Sequence, residues 1–320
     1  MPNHADEKTT TALKAAQMYY MQDLTMGAIA DELRVSRSSV SRLLSFARDT
    51  GLVEIQINSP RDRGAQLEQE ILRRYGVTAY IVPTPASLSD VDRLERVAMT
   101  AGRLLNRFVD SNMSIGIAWG STLSAISRYL QQKEVHGMTV VQLNGAGNTE
   151  TTGIDYASEI LQRFGHAYSA RVQQFPVPAF FDDPATKDAL WRERSTRRLL
   201  DIQTRIDVAL FGLGSPFAEV PSHVYIGGYL DEADYRSLRD DDVVGDVATI
   251  FYRLDGSWKD VALNARATGP GFDQLRKTAR RVCVVSGAQK LPSLRGALAA
   301  GLITDLVLDE GLARRLALES

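Results

Sequence analysis

Four apolar runs in this chain end alike, each passing straight into a loop of glycine and other small or polar residues. Residues 114–118 lead into Trp119-Gly120-Ser121-Thr122 and a helical pattern carried by Leu123, Ile126 and Leu130. Residues 139–143 lead into Asn144-Gly145-Ala146-Gly147-Asn148, and residues 206–211 into Gly212-Leu213-Gly214-Ser215-Pro216. Residues 282–285 lead into Ser286-Gly287-Ala288-Gln289-Lys290 and a further helix. With residues 79–82 as another strand, and Leu94, Val97, Ala98, Ala101, Leu104, Leu105 and Phe108 as a long helical stripe, the two patterns alternate. That alternation specifies a mainly parallel sheet covered by helices.

In open sheets of this class, ligands bind beyond the carboxyl ends of the strands, where small residues let backbone N–H groups approach an anion. Gly120-Ser121-Thr122 at a helix start suits a phosphate, with Lys290 as countercharge. One strand-end glycine is usually only a turn. Four such loops in one domain, with hydroxyls and a lysine among them, point to a pocket. Val244-Gly245-Asp246 adds an acid, suited either to accept hydrogen bonds from ligand hydroxyls or to close a structural turn. Asp255-Gly256 reads as a hairpin turn.

Ahead of this domain, three short helical patterns follow one another. Leu13, Ala16 and Tyr20 mark the first, and Met26, Ile29, Ala30 and Leu33 the second, with Thr25 as its N-cap. Val40, Leu43, Leu44 and Ala47 mark the third, capped by Ser36. Ala30 is small where the last two helices approach most closely, as a tight helix-turn-helix requires. Arg34 stands where the turn's usual glycine is expected. The third helix has a second face: Arg37, Ser41, Ser45 and Arg48, with Ser38, Ser39 and Arg42 beside them. Residues 34–48 hold four arginines and no acid. A solvated helix face ordinarily mixes both signs; a Ser/Arg face suits the DNA major groove, where arginine pairs bidentately with guanine. Ser36, Arg37, Ser38, Ser39, Ser41 and Arg42 are the candidate DNA contacts. Val53, Ile55 and Ile57 then alternate with Glu54 and Gln56, as either a wing or a strand leading out.

The polar, turn-rich stretch 58–64 marks a boundary, and 320 residues suit two domains. Residues 1–58 are read as a helix-turn-helix DNA-binding domain and 59–320 as an effector and oligomerisation domain. A formal net charge of -2 means that any DNA affinity comes from a local cluster of arginines. Cys283, the single cysteine, lies in an apolar run and reads as a buried strand residue; one cysteine builds no internal disulfide and fits a reducing cytoplasm. His4, His136, His166 and His223 are scattered without metal-ligand spacing, so neither a metal nor a cofactor is expected. No stretch approaches the ~18 apolar residues of a membrane span, and the N-terminus lacks an apolar signal core. The expected setting is the cytoplasm. Residues 182–200, with Pro184 near a helix start, read as a solvated helix.

Residues 12–53, above all Ile29-Ala30, Ser36-Arg37, Val40-Ser41-Arg42-Leu43-Leu44 and Gly51-Leu52-Val53, resemble the DNA-binding end of the SorC/DeoR-type sugar-binding regulators. The resemblance continues through Ile117-Ala118-Trp119-Gly120-Ser121-Thr122, Val140-Val141-Gln142-Leu143-Asn144-Gly145, Val244-Gly245-Asp246 and Ser286-Gly287-Ala288-Gln289-Lys290. It implies an α/β sensor domain with the fold of phosphosugar isomerases, and homo-oligomers, commonly tetramers, on palindromic operators. It also implies a phosphorylated sugar or polyol effector, its phosphate held by Gly120, Ser121, Thr122 and Lys290. Asn144, Gly145, Gly147 and Asp246 would then face the sugar, with Gly212, Gly214 and Gly287 completing the strand-end loops. The loop 144–150 has no lysine, so no Schiff base forms there. Two other readings differ in outcome. A sugar-phosphate isomerase or deaminase with a DNA-binding arm would turn over a phosphosugar, and a purely assembling C-terminal domain would leave operator affinity blind to metabolites.

Overall fold

The computed structural model describes residues 4–53, 60–216 and 222–318. The chain divides into two compact units, Met1–Ser59 and Pro60–Ser320.

The first unit contains helices α1 (His4–Tyr20), α2 (Met26–Leu33) and α3 (Arg37–Asp49). Both predicted caps form. The Thr25 hydroxyl accepts the Ala28 N–H at 3.3 Å, and the Ser36 hydroxyl accepts the Ser39 N–H at 3.1 Å, each filling a donor that a helix start leaves open. The core joins Ile29 and Ala30 of α2, Val40, Leu44 and Ala47 of α3, and Ala12, Ala15, Ala16 and Met18 of α1. Leu13 and Tyr20, expected on the buried stripe of α1, are instead exposed. The alanines allow the helices to approach closely, and the larger pair falls to one side of that stripe. Arg34 takes the left-handed conformation a glycine would supply (φ 51°, ψ 44°), and its N–H reaches the carbonyls of Ala30 and Asp31. Val53 packs on the helical core. The rest of the predicted strand, at 54–59, lies outside the described residues.

The second unit is built on β1 (Thr78–Val82), β2 (Ser114–Ile117), β3 (Thr139–Gln142), β4 (Arg171–Gln173), β5 (Val208–Phe211), β6 (Val243–Val247), β7 (Ile250–Arg253), β8 (Arg280–Val285) and β9 (Asp305–Asp309). Seven of these form one parallel sheet in the order β1-β9-β8-β5-β2-β3-β4, while β6 and β7 pair antiparallel. Along the sheet strands, alternate residues serve opposite faces. Ile115, Ile117, Val140, Leu210, Val282 and Val284 enter one core; Val141, Ala209, Phe211, Cys283 and Val285 enter the other. Helix α4 (Pro60–Tyr75) precedes β1, and α5 (Asp90–Leu104), α6 (Ser121–Ser127) and α7 (Ile154–Ala167) follow β1, β2 and β3 in turn. Val97, Leu123, Ile126 and Phe164 of the last three cover the first face, and Ile71 of α4 packs on the second. Cys283 is fully buried, as expected, and burial pushes its thiol pKa up.

Val244-Gly245-Asp246 lies within β6, and the turn joining β6 to β7 is Ala248-Thr249, both at positive φ (49° and 69°), which Asp246 closes by accepting the Thr249 N–H. Asp255-Gly256 makes a separate turn beyond β7, closed by the Arg253 N–H on the Ser257 carbonyl. Residues 182–200 hold two helices, α8 (Pro184–Trp191) and α9 (Arg194–Gln203). They are not simply solvated: Leu190, Trp191, Leu199 and Leu200 pack on Phe175, Val177 and Phe181. Beyond them come α10 (His223–Ile226), α11 (Glu232–Asp240), α12 (Phe272–Leu275), α13 (Leu291–Ala299) and α14 (Glu310–Leu318).

The sheet order places a site. From β2 the chain adds β3 and then β4 on one side; from β5 it adds β8 and then β9 on the other. Between β2 and β5 the winding reverses, and at such a reversal the loops leaving the two strands diverge and open a crevice.

Candidate functional site

The crevice at that reversal is a cleft of about 430 Å³, counting its open mouth. Gly120, Ser121 and Thr122 line it from the end of β2, Asn144 from the end of β3, and Gly212 and Gly214 from the end of β5. Asp246 enters from β6, and Lys290 from the turn before α13. Eight of the eleven predicted effector residues therefore meet in one place.

Gly145, Gly147 and Gly287 do not line it. Gly145 donates its N–H to the Thr268 hydroxyl, and its carbonyl accepts from Trp119 Nε1 at 2.7 Å. A Cβ there would come within 2.1 Å of the Pro178 carbonyl oxygen, so the glycine serves close chain packing. Gly147 bridges to Pro178 through its backbone. Gly287, at φ 94°, gives its N–H to the buried Asp309 carboxylate. These three glycines shape the loops without facing the cleft.

Two buried oxygens at the cleft lack a partner in hydrogen-bonding geometry among the described residues: Asn144 Oδ1 and Asp246 Oδ1. Buried acceptors are ordinarily satisfied, so an orphan pair marks a place built for donors. Asp246 Oδ2 accepts the Thr249 N–H at 3.2 Å. Oδ1 sits over Gly214, where a Cβ would fall only 1.6 Å away. Only glycine leaves room there for the carboxylate. Burial raises the Asp246 pKa to about 6, against the opposing pull of the Thr249 N–H, the Lys290 charge and the nearby Tyr225 hydroxyl. Burial lowers the Lys290 pKa, and Asp246 counters it. Lys290 Nζ donates to the Leu213 carbonyl at 2.8 Å, which leaves two of its three donor positions for other partners.

Sequence reasoning missed His223, Ser222 and Thr249, which also line the cleft. His223 was visible only as one of four scattered histidines, and Ala248-Thr249 carries no glycine to announce its turn. Among the described residues, no group of three or more His, Cys, Asp or Glu side chains is placed to hold a metal ion, and no helix is long and apolar enough to cross a membrane.

In the first unit, Ser36, Arg37, Ser38, Ser41 and Arg42 are exposed. Ser39 is half-buried, its hydroxyl 2.9 Å from that of Ser36, so this pair also serves the cap. Arg42 Nε donates to the Ser38 carbonyl, which lays that side chain along the helix.

Residues 60–317 match the family described as "Putative sugar-binding domain". The deoxyribonucleoside regulator of Bacillus subtilis (strain 168) is 30% identical over 313 residues, 97% of this chain and 98% of that protein. The chain belongs to the SorC/DeoR-type family of sugar-binding transcriptional regulators. Over 81% of this regulator and 99% of the solved chain, it is 57% identical to a domain of a possible sugar-binding transcriptional regulator from Arthrobacter aurescens TC1, with a TM-score of 0.76. The full-length sorbitol operon regulator SorC from Klebsiella pneumoniae shares the fold of this regulator, with a TM-score of 0.72 over 97% of this chain and 99% of that one at 24% identity. These relatives are regulators and not enzymes.

Proposed function

We propose that this regulator binds operator DNA through residues 1–58 and senses a phosphorylated sugar or polyol through residues 59–320. The observation that carries the reading is the cleft, which gathers Gly120-Ser121-Thr122 and Lys290 with the unpartnered oxygens of Asn144 and Asp246. The first group supplies N–H, hydroxyl and ammonium donors to a phosphate. The second supplies acceptors to sugar hydroxyls. Relatives described as deoxyribonucleoside and sorbitol operon regulators support this chemical class. Arg37 and Arg42, with Ser36, Ser38, Ser39 and Ser41, form the reading face; Gly145, Gly147 and Gly287 hold the loops of the cleft. The regulator works in the cytoplasm as a homo-oligomer, a tetramer, on a palindromic operator. Effector binding shifts the balance of subunit arrangements and with it the operator affinity.

The test is a thermal-shift screen of the full chain against each sugar or polyol beside its phosphate, followed by operator binding with and without each hit. A ligand at 100 times its Kd stabilises by about 2.7 kcal/mol. A shift with a phosphate and not its parent is expected, with a matching change in operator affinity. A shift with parent sugars alone overturns the phosphate site, and a hit that leaves operator affinity unchanged overturns the coupling.

A further inference from the structure

We propose that His223 is a ligand of the effector's anionic group, donating a ring N–H to it and taking up a proton as the anion binds. The inference rests on the reading that the cleft takes an anion. His223 lines the cleft together with Ser121, Thr122 and Lys290. It opens α10, and its imidazole stands among three rings: 4.6 Å from Tyr156 at 31°, 6.0 Å from Trp119 at 90°, and 5.8 Å from Tyr229 at 65°. Trp119 and Tyr229 stack on each other at 5.0 Å, and each is anchored by a hydrogen bond, to the carbonyls of Gly145 and Ala146. The box is thus fixed to the same strand-end loops that form the cleft. Aromatic walls position a ring without using its nitrogens, and their faces stabilise the cation that protonation creates. Among the described residues, no hydrogen bond engages either ring nitrogen.

Charge balance gives the histidine its task. The buried charged groups of the cleft are one acid and one base, Asp246 and Lys290. A phosphate ester brings about two negative charges near neutrality, and one lysine does not balance them. Tyr156 and Tyr229, which also face His223, stay neutral, because burial raises both to about 12. Of the groups near the cleft, His223 and Asp246 remain to accept a proton near neutrality. Protonation only neutralises the nearly fully buried Asp246, whereas it gives the half-exposed His223 a positive charge and a second N–H donor for the anion. Burial lowers the His223 pKa in the empty cleft, and an adjacent anion raises it, so binding draws a proton across the neutral range. A neutral polyol gives no such uptake. His223 is therefore a specificity residue that favours charged effectors, increasingly so as pH falls.

Inorganic sulfate is a suitable probe, because it carries two charges and does not titrate near neutrality. The full chain, labelled with ¹³C at histidine, has four ring Cε1–H signals at most, and His223→Gln identifies the relevant one by its loss. Each midpoint is followed from about pH 5 to 8 in sulfate and in chloride of equal ionic strength. The His223 midpoint is expected to rise by about one pH unit, a tenfold coupling between proton and anion, while His136 and His166 stay in place. In His223→Gln, the pH dependence of sulfate stabilisation is expected to shrink to the part carried by Asp246, and in Asp246→Asn the part carried by His223 is expected to remain. If sulfate stabilises the protein while the His223 midpoint stays with the others, His223 is not the ligand and the anion site survives. If sulfate gives no stabilisation at any pH, the anion site itself fails, and this inference with it.

Discussion

Asp246 shows how a binding residue draws on the stability of its own domain. Its carboxyl has an ordinary pKa of 3.8, raised to about 6 in the folded protein, chiefly by burial. The folded state therefore holds a proton that the unfolded chain has released, and stability falls as pH rises between those two values. The loss amounts to about 3 kcal/mol once both forms are ionised. The difference in unfolding free energy between wild type and Asp246→Asn should accordingly change by about this amount between roughly pH 4 and 7, with the variant gaining as pH rises. Denaturant unfolding at a series of pH values measures it. A difference that stays level across the window would mean that the folded carboxylate is solvated well enough to ionise normally. Candidate residues of this kind were legible in the sequence, because glycine, serine, lysine and acid at strand ends form a local pattern. The partners that tune them were not. The Leu213 carbonyl on Lys290, the Gly214 backbone under Asp246 and the aromatic box around His223 all arise from contacts across the fold.

At the scale of elements, the turn between α2 and α3 carries a cost. Arg34 holds a left-handed backbone, which costs an ordinary residue roughly 1–2 kcal/mol and a glycine almost nothing. Part of that gain is returned because glycine loosens the unfolded chain. Arg34→Gly should therefore stabilise the helical unit by about 1 kcal/mol, seen as a higher urea midpoint by circular dichroism. A lower midpoint would show that the Arg34 side chain contributes more than its backbone costs. Helix caps and the α2–α3 core were readable from spacing, since 3.6-residue periodicity is a property of the segment itself. β9 was not identified. It begins and ends in aspartates, and the one at its end is buried to receive the N–H groups of Gly287 and Leu312. A charged residue used in that way reads in isolation as a loop. The Ala248-Thr249 turn is hidden for a related reason: the Asp246 side chain, three residues back, receives the Thr249 N–H.

The whole molecule is two units with separate hydrophobic cores, one around Ile29 and Val40 and the other on both faces of the sheet. A ligand of the cleft stabilises only the unit that contains it. Calorimetry of the full chain should show two transitions, with a cleft ligand raising the one assigned to residues 60–320 and leaving the other in place. A single transition that moves as a whole would show the two units unfolding cooperatively. The alternation of strands and helices gave the architecture and the ends at which to look for a site. Strand order came only from the structure, because pairing such as that of β1 with β9 joins segments more than two hundred residues apart and leaves no local trace.

The spacing of the cleft residues along the chain also sets an order of events in time. The three helices at the N-terminus are complete by Asp49, whereas the cleft draws on residues from Ala118 to Lys290. At ribosomal speed these two points are separated by an interval on the order of tens of seconds. Each newborn copy thus has its reading helix before it has its sensor, and a message cut short in between would encode a reader that no metabolite can address.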